Sequence, residues 1–428
     1  MGAETQGAGH FLKCPAPGAT CEAVILGAGN VGRGFLGQLF CESGYRVTFV
    51  DIDEPLIAAL RANGAYTLRL VDNTGSEEVR VGPVTGLLSG QREAVAEALS
   101  RATLAATAVG ARALPHIAPL LAAGIRRRAE AGWGDALNVI VCENLPHAAG
   151  VLRQMVLDAL DDDDGGWAEA LDAHVGFVNT VIGRMVPELP AELRAQDPSL
   201  IIVEPYKELP VERAGFVGPI PDIVGMQPEE RFAVFTARKL YLHNCGHAIL
   251  GYLGYHRGYA LGYEALEDGW IRPILDGALD ESLRGIVARY DADEGWLRAH
   301  VADLLHRFAN RVLADPTLRL ARDPLRKLAP DDRLVGAARL AEAAGPTPRN
   351  LAWGIAGALA FDAEEDALAV ALQRRIAQEG VEAVLEAVCA IDPQEPLGQA
   401  VLSAYHQLQQ DAESERPAHT RRTESNTP

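Results

Sequence analysis

A glycine-rich turn between a short apolar run and a helical pattern constrains this chain more than any other feature. The apolar residues 23–26 lead directly into GAGNVG, which has the spacing GxGxxG. In such a turn the first glycine permits the tight bend, the second lets the backbone approach a pyrophosphate, and the third lets the helix pack on the strand. The helix N-terminus offers free N–H groups to the pyrophosphate. The predicted cofactor-binding residues are Gly27, Ala28, Gly29, Asn30, Val31 and Gly32.

A carboxylate at the end of the next apolar run extends this signature. The run YRVTFVD ends in Asp51, about 20 residues beyond the glycines, where an acid bonds the ribose hydroxyls of a dinucleotide. The same carboxylate repels the 2′-phosphate of NADP, so the predicted cofactor is NAD. Arg33, one residue past the third glycine, leaves NADP open, and a glycine-rich turn in an unrelated α/β fold is the structural alternative.

Short apolar runs alternate with helical patterns through the first half of the chain. A turn at Asp72 and Asn73 predicts a β-hairpin insertion over residues 66–84. The alternation predicts an α/β fold with a Rossmann-type, doubly wound parallel sheet. The predicted buried strands are 23–27, 45–51, 103–110, 137–144 and 173–186, with helices through 35–40 and over 55–63.

The second half of the chain has a different pattern of apolar residues. From about Arg231 onward apolar residues recur at helical spacing, which predicts a mostly α-helical domain. A proline-rich passage between 190 and 230 contains the boundary. We therefore expect an NAD-binding domain at 21–205 and a helical substrate and catalytic domain at 206–410. The segment 1–20, rich in Gly, Ala and Pro, predicts a disordered arm, and the polar segment 411–428 predicts a disordered tail. The acidic run 161–164 predicts a solvated loop.

The acidic composition restricts the partners. A formal net charge of −19 argues against a nucleic-acid or anionic-membrane surface, so a phosphorylated substrate needs a local basic pocket. The longest apolar stretch, residues 104–125, is interrupted by Arg112, Pro115 and His116, so we do not expect it to span a membrane. The N-terminus lacks the basic start and apolar run of a signal peptide, so none is expected. The six cysteines contain no CxxC pair and are expected to be reduced thiols. We expect a cytoplasmic protein that is a monomer or a small homo-oligomer.

The segment ARKLYLHNCGHAILGYLG contains the candidate catalytic residues. With regular helical spacing, Lys239, Asn244 and His247 fall within an arc of roughly 140° on one side of a helix. A metal-independent dehydrogenase needs a base, a donor to the developing alkoxide and a group that orients the substrate. A desolvated lysine serves as the base, asparagine donates an N–H, and histidine orients a neighbouring hydroxyl.

Each of these residues also has an ordinary structural interpretation. A lysine on a helix is usually solvated, and an asparagine often bonds the local backbone. His243 and His247 form an i, i+4 pair that could be one edge of a zinc site. No HExxH pattern, cysteine pair or obvious third ligand accompanies them, so no metal is expected.

With these residues in place, the chain resembles the polyol-specific long-chain dehydrogenases, the mannitol dehydrogenase family. The resemblance covers residues 23 to about 410 and includes the family pattern Lys-x4-Asn-x2-His. The segments that carry it are GAGNVGRGF, VCENLPH, GFVNTVIGRMVP, ARKLYLHNCGHAILGYLG and RDPLRKLAPDDRL.

The resemblance implies a role for each matching position. It implies that Lys239 is the general base and that Asn244 and His247 polarise and position the reacting oxygen. It implies metal-independent chemistry in a cleft between a Rossmann domain and a helical domain. It further implies that the substrate site includes Asn179, Arg319, Arg322 and Lys327.

The chain length favours the shorter, phosphate-using branch of that family. The expected reaction interconverts D-mannitol 1-phosphate and D-fructose 6-phosphate with NAD. The alternatives are the same chemistry on an unphosphorylated polyol, a hexuronate or a cyclitol phosphate, and a non-catalytic NAD-binding regulatory protein.

A phosphate clamp is expected in the one basic cluster downstream of the catalytic helix, where surface ion pairs with nearby aspartates are the alternative. This cluster consists of Arg319, Arg322, Arg326, Lys327 and Arg333.

Overall fold

The computed structural model describes residues 11–12, 21–160, 166–187 and 189–415. The predicted arm lies outside these residues except for a short strand, Phe11–Leu12. The predicted acidic loop at 161–164 lies outside them, as does the predicted tail from residue 416 onward. Residues 411–415, also predicted to be disordered, continue the last helix. Helix propagation from a packed segment is inexpensive, which explains this extension.

The strands lie in the first part of the chain. They are β1 Phe11–Leu12, β2 Cys21–Leu26, β3 Tyr45–Asp51, β4 Tyr66–Asp72, β5 Gly75–Val81, β6 Val84–Leu88, β7 Leu104–Thr107, β8 Leu137–Val141, β9 Val175–Asn179, β10 Ile201–Val203, β11 Leu209–Glu212, β12 Ile220–Pro221 and β13 Met226–Glu229.

Six of these strands form the main sheet, in the order β6-β3-β2-β7-β8-β9. Every neighbouring pair is parallel. This is the strand order of a Rossmann fold, with the switch point between β2 and β7. The predicted fold class and the predicted hairpin, now β4 and β5, are therefore confirmed.

Strand β2 shows why the sheet needs helices on both faces. Ala23 and Ile25 pack into one apolar cluster, whereas Val24 and Leu26 pack into another on the opposite face. All four side chains are at most 1% exposed. The helices of this part of the chain are α1 Gly37–Glu42, α2 Glu54–Asn63, α3 Arg92–Arg101, α4 Leu114–Glu130, α5 Ala148–Ala159, α6 Gly166–His174 and α7 Ala191–Gln196.

The chain divides into two compact units after Phe232. The first unit thus extends beyond the boundary expected after residue 205. Strand β10 pairs with β4, and Val211 of β11 bridges to Thr180 beside β9, so the segments after residue 200 pack with the Rossmann domain. The proline-rich passage is therefore part of the first unit.

The second unit is helical, as expected. Its helix α9 packs closely against α13, because a Cβ on Gly251 would lie only 2.7 Å from the backbone nitrogen of Ala321. The helices are α8 Phe232–Arg238, α9 Cys245–His256, α10 Gly262–Glu267, α11 Ile271–Tyr290, α12 Glu294–Phe308, α13 Thr317–Ala321, α14 Pro324–Lys327, α15 Val335–Ala344, α16 Arg349–Leu359, α17 Ala367–Glu379, α18 Val381–Cys389 and α19 Pro396–Glu415.

The expectation of six reduced cysteines is wrong for Cys21, which is disulfide-bonded. The free cysteines within the described ranges are Cys41, Cys142, Cys245 and Cys389. None of the described helices is both long and apolar enough to cross a lipid bilayer.

Candidate active site

The glycine-rich turn between β2 and the first helix has no room for side chains at its first and last glycines. Gly27 has φ +102°, and a Cβ there would lie 2.3 Å from the carbonyl oxygen of Ala108. A Cβ on Gly32 would lie 1.9 Å from the carbonyl oxygen of Gly27. Both distances are far below van der Waals contact, so the backbone follows this path only with glycine at the two positions.

The middle of the turn is open. Gly29 and Asn30 are exposed, and no atom lies within 4 Å of a Cβ placed on Gly29. The helical run begins at Asn30, so the N–H groups of its first turn lack carbonyl partners within the helix. An open backbone beside a helix N-terminus fits a dinucleotide pyrophosphate. These residues therefore fit the predicted cofactor.

Asp51 is fixed against this turn. Its Oδ2 accepts a hydrogen bond from the backbone nitrogen of Ala28 at 2.6 Å. Its Oδ1 accepts from the backbone nitrogens of Ile52 and Asp53, at 2.7 and 3.1 Å. The carboxylate therefore has a fixed orientation at the carboxyl end of β3 while remaining partly exposed. This placement suits an acceptor for ribose hydroxyls.

Arg33, which left NADP open as a cofactor in the sequence analysis, is not placed to bind a 2′-phosphate. The side chain is only 7% exposed and donates to backbone carbonyls of Ala28 and Ser199. Burial lowers the pKa of its guanidinium. Arg33 ties the turn to the segment preceding β10, and the side chain is buried in the structure rather than presented to a 2′-phosphate.

The candidate catalytic residues lie in the second unit, on a helix whose pitch changes locally. Residues Lys239–Asn244 form a π-helical segment between α8 and α9. Hydrogen bonds in a π-helix link residues five apart, so the side chains of Lys239 and Asn244 lie closer to one side of the helix than regular α-helical spacing would place them. The Lys239 Nζ donates to Asn244 Oδ1 at 3.3 Å. Regular helical spacing therefore misplaced these two residues, and their direct contact is a finding of the structure.

The environment of Lys239 suits a general base. Burial, followed by the nearby charge of Arg333, lowers the pKa of this half-buried lysine to about 8. A far larger fraction of this side chain is therefore neutral near physiological pH than for an exposed lysine. Because Asn244 accepts from the lysine through Oδ1, its Nδ2 is available to donate to a substrate oxygen.

His247 is held in place by an aromatic stack. Its ring stacks on Phe308 with 4.0 Å between ring centroids and 28° between planes. His243 packs edge-on against His247, with centroids 4.9 Å apart. Burial, with smaller contributions from neighbouring cations, holds the pKa of both imidazoles well below the usual value. His247 is therefore a neutral hydrogen-bonding group.

The basic cluster separates into exposed and buried members. Arg322 is exposed, and Arg326 is exposed and bonds Asp323 at 2.8 Å. Arg319 is partly buried and pairs with Asp315 at 2.5 Å, and its charge reaches His247. Lys327 is only 4% exposed, and burial lowers its pKa to about 7. Arg333 is 8% exposed.

Asn179 lies in the first unit, at the carboxyl end of β9. Its Oδ1 accepts from the backbone nitrogen of Ala149 at 3.0 Å, and its Nδ2 donates to Glu212 at 2.6 Å. Glu143 follows β8 at the same edge of the sheet and accepts from the backbone nitrogen of Val109 at 3.0 Å. Burial raises the pKa of Glu143.

Two side chains at these sites, Glu143 and Phe308, were not among the predicted site residues. Glu143 follows a buried strand in the VCEN segment, which is a signal that could have identified it. Phe308 belongs to α12, far along the chain from His247, so no local pattern links the two. Arg333 was predicted as a member of the basic cluster that could form a phosphate clamp, but its burial cannot be deduced from the sequence pattern.

In the parts of the chain that the structure describes, no group of three or more His, Cys, Asp or Glu side chains has the arrangement of a metal site. His243 and His247, the suggested zinc edge, instead make the edge-on ring contact described above.

Comparisons with known proteins agree on both units. Residues 21–225 match the model of the mannitol dehydrogenase Rossmann domain, and residues 232–409 match that of the mannitol dehydrogenase C-terminal domain. Mannitol-1-phosphate 5-dehydrogenase of Bacillus licheniformis is 38% identical over 382 residues, which cover 89% of this chain and 98% of that protein. The enzyme of the same name from Geobacillus thermodenitrificans is also 38% identical, covering 91% and 99%.

Solved structures share the fold at lower identity. A substrate-free D-sorbitol dehydrogenase has a TM-score of 0.76 at 20% identity and covers 92% of this chain and 96% of its own. A ternary complex of Pseudomonas fluorescens mannitol 2-dehydrogenase with NAD and D-mannitol has a TM-score of 0.74 at 19% identity and covers 95% and 97%.

Proposed function

Because the chain belongs to the mannitol dehydrogenase family, we propose that it is an NAD-dependent dehydrogenase that interconverts D-mannitol 1-phosphate and D-fructose 6-phosphate. The family membership predicted from five sequence segments is confirmed. The observation that carries the chemical part of the proposal is the contact between Lys239 and Asn244 in the π-helical segment. The identity of the phosphorylated substrate is supported by the relatives that share 38% identity over nearly their whole length.

The first unit supplies the cofactor-binding residues. The backbone from Gly27 to Gly32 would hold the pyrophosphate of NAD, and Asp51 would accept from the ribose hydroxyls. When bound, NAD accepts a hydride from the alcohol carbon. The open space at Gly29 and the fixed carboxylate of Asp51 support this assignment.

The second unit supplies the proton chemistry. Neutral Lys239 removes the proton of the reacting hydroxyl at Nζ, which a pKa of about 8 permits near neutral pH. Asn244 donates from Nδ2 to the same oxygen as negative charge develops on it. His247, neutral and stacked on Phe308, orients the reacting oxygen or the neighbouring hydroxyl. In the reverse direction the Lys239 ammonium returns the proton to the oxygen.

Substrate contacts are proposed for Asn179, Arg319, Arg322 and Lys327, the positions that match the family. The burial of Lys327 and the proximity of Arg319 to His247 support the assignment of these two. The exposure of Arg322 gives it the weakest support of the four.

The test of the proposed function follows NADH absorbance in the purified full-length protein. Fructose 6-phosphate and fructose are supplied separately, in the presence of EDTA. We expect NADH oxidation with fructose 6-phosphate at a kcat/KM far above that with fructose. Oxidation with fructose alone would contradict the phosphorylated substrate. Demonstrated NADH binding without turnover of either sugar would also contradict it and would direct the search to hexuronates and cyclitol phosphates. Activity that EDTA abolishes would contradict metal-independent chemistry.

Replacement of Asp51 tests the cofactor preference. We expect Asp51→Ser to weaken NADH binding and to reduce discrimination against NADPH, because the variant lacks both the acceptor for the ribose hydroxyls and the charge that repels a 2′-phosphate. The measurement is kcat/KM with each cofactor under saturating fructose 6-phosphate. Glu54→Ser, at an exposed position three residues further on, is the matched control. An unchanged NADH-to-NADPH ratio in Asp51→Ser would show that the ribose contact lies elsewhere.

A further inference from the structure

Arg333 is a buried arginine with unused hydrogen-bonding capacity. It directly precedes Leu334 and α15, and only 8% of its surface is exposed. Within the described part of the chain, its side chain makes one hydrogen bond, from Nε to Asp332 at 2.6 Å. Its two terminal nitrogens donate to none of the described residues. A guanidinium in this state can present two parallel N–H groups to a planar or tetrahedral anion.

The segment around Arg333 packs against the catalytic π-helical segment. The Tyr241 hydroxyl donates to the carbonyl oxygen of Asp331 at 3.5 Å. A Cβ on Gly336 would lie 2.8 Å from the Tyr241 ring, so the backbone approaches closely here. Arg333 is also the nearby charge that most lowers the pKa of Lys239 and of Lys327. Its guanidinium therefore lies within electrostatic reach of both lysines.

Lys327 is a second buried cation, and none of the described carboxylates bonds to it. Its Nζ donates to the carbonyl oxygen of Leu320 at the end of α13 and lies 5.4 Å from the centre of the Tyr252 ring. The Tyr252 hydroxyl is buried and has no hydrogen-bond partner among the described residues. Burying Lys327 without a bonded carboxylate is costly, and buried charged groups of this kind are concentrated at functional sites.

We propose that Arg333 is a specificity-determining residue that binds the phosphate group of the substrate, with Lys327 as its neighbour. This inference rests on the proposed function, which it deepens by naming the residue that distinguishes a phosphorylated from a neutral polyol. The other arginines of the cluster are less suited to the role. Arg322 and Arg326 are exposed. Arg319 bonds Asp315 through Nε, as Arg333 bonds Asp332, but 29% of the Arg319 side chain is exposed against 10% for Arg333.

The first experiment measures the binding of inorganic phosphate and does not require turnover. Isothermal titration calorimetry is performed on the full-length protein, on Arg333→Met and on the control Arg375→Met, which removes a surface arginine paired with Glu379 at 3.0 Å. We expect Arg333→Met to weaken phosphate binding at least about 10-fold, whereas Arg375→Met leaves it unchanged, because charge-assisted bidentate bonds are lost only in the former. Equal phosphate affinity in all three proteins, or loss only in Arg375→Met, would overturn the inference.

The second experiment measures selectivity between fructose 6-phosphate and fructose. We expect Arg333→Met to lower kcat/KM for fructose 6-phosphate by about 30-fold or more, chiefly through KM, with little change for fructose. Arg333→Lys keeps the charge but loses the planar fork, so an intermediate value is expected. Equal losses for both sugars would show that Arg333 is only structural and would overturn the proposal.

The pH profile provides a readout that a structural role would not change in this direction. Removing the positive charge of Arg333 raises the pKa of Lys239, so the pH dependence of alcohol oxidation should shift to higher pH in Arg333→Met but not in Arg333→Lys.

If Arg333→Met fails to fold, as judged by its thermal transition, Arg333→Lys and Arg333→Gln replace it in both experiments. Phosphate binding that depends on Arg333 in a protein inactive on fructose 6-phosphate would reject the proposed reaction while retaining the anion site. Turnover of fructose 6-phosphate that does not depend on Arg333 would support the proposed reaction and reject Arg333 as the phosphate-binding residue.

Discussion

Lys239→Met is expected to lower kcat for alcohol oxidation by about 10²–10⁴-fold, the range typical for removal of a general base. Methionine has a similar length and no titratable group, so proton transfer is lost while the packing around α9 is retained. Lys239 belongs to the second unit, and the glycine-rich turn belongs to the first. We therefore expect NADH affinity to change little. Stopped-flow hydride transfer and fluorescence titration with NADH measure the two quantities separately.

The pH dependence of the unmodified protein follows from the same lysine. With Lys239 as the proposed base, oxidation requires its neutral form, so kcat/KM is expected to rise with pH and level off above about 8. Ketose reduction needs the ammonium form, so kcat/KM in that direction should fall as pH rises through about 8. The two profiles should therefore have opposite slopes around one common pKa.

Lys207→Met is the matched control for Lys239→Met. Lys207 forms an ion pair with Glu42 at 2.9 Å on the surface of the first unit, and exposed pairs of this kind contribute little. We expect its kcat and pH profile to match those of the unmodified protein. If Lys239→Met keeps more than about a tenth of the activity, or if both lysine variants lose activity equally, Lys239 is not the base.

Gly32→Ala is expected to abolish measurable NADH binding and to destabilise the first unit. The added methyl would lie 1.9 Å from the carbonyl oxygen of Gly27, so the turn and the helix that follows must move apart. Overpacking of this kind typically costs about 1–3 kcal/mol. The measurements are the thermal transition and NADH fluorescence titration of the variant.

Two further alanine variants separate the fold from the cofactor site. Gly75→Ala places a methyl in open space on β5, which belongs to a different sheet from β2 and β3, so we expect neither stability nor NADH affinity to change. Gly29→Ala also meets no protein atom within 4 Å, so its stability should be unchanged. Its methyl would occupy the space that the pyrophosphate needs, so its NADH affinity should fall. Normal NADH binding in both Gly29→Ala and Gly32→Ala would contradict the assigned cofactor site.

Much of the fold could be predicted because its signals are local. The buried strands are short apolar runs, and the run at β2 is buried on both faces, as parallel strands between two helical layers require. The turn needs glycine at Gly27 for its positive φ and at Gly32 because the Gly27 carbonyl oxygen lies so close, and both constraints operate within a few residues. The boundary between the units was less predictable, because β10 is held by β4, more than 100 residues earlier in the sequence.

The candidate catalytic residues could be named from the sequence, but their arrangement could not be derived from it. Regular helical spacing spread Lys239, Asn244 and His247 over a wide arc. The π-helical segment instead places Lys239 and Asn244 in contact. A π-helical turn contains one more residue than an α-helical turn, and apolar periodicity does not reveal it, because the pattern on either side remains helical.

By itself, the sequence determined the Rossmann topology, the cofactor signature, the helical second unit and the identity of the candidate base. Only the tertiary structure decided which charged groups are buried. Arg33 and Arg333 are both arginines beside a helix start, yet the first bonds Ser199, 166 residues away along the chain, and the second keeps its terminal nitrogens available. Burial and charge pairing depend on contacts between distant segments, and these contacts set the pKa of a lysine and the freedom of an arginine.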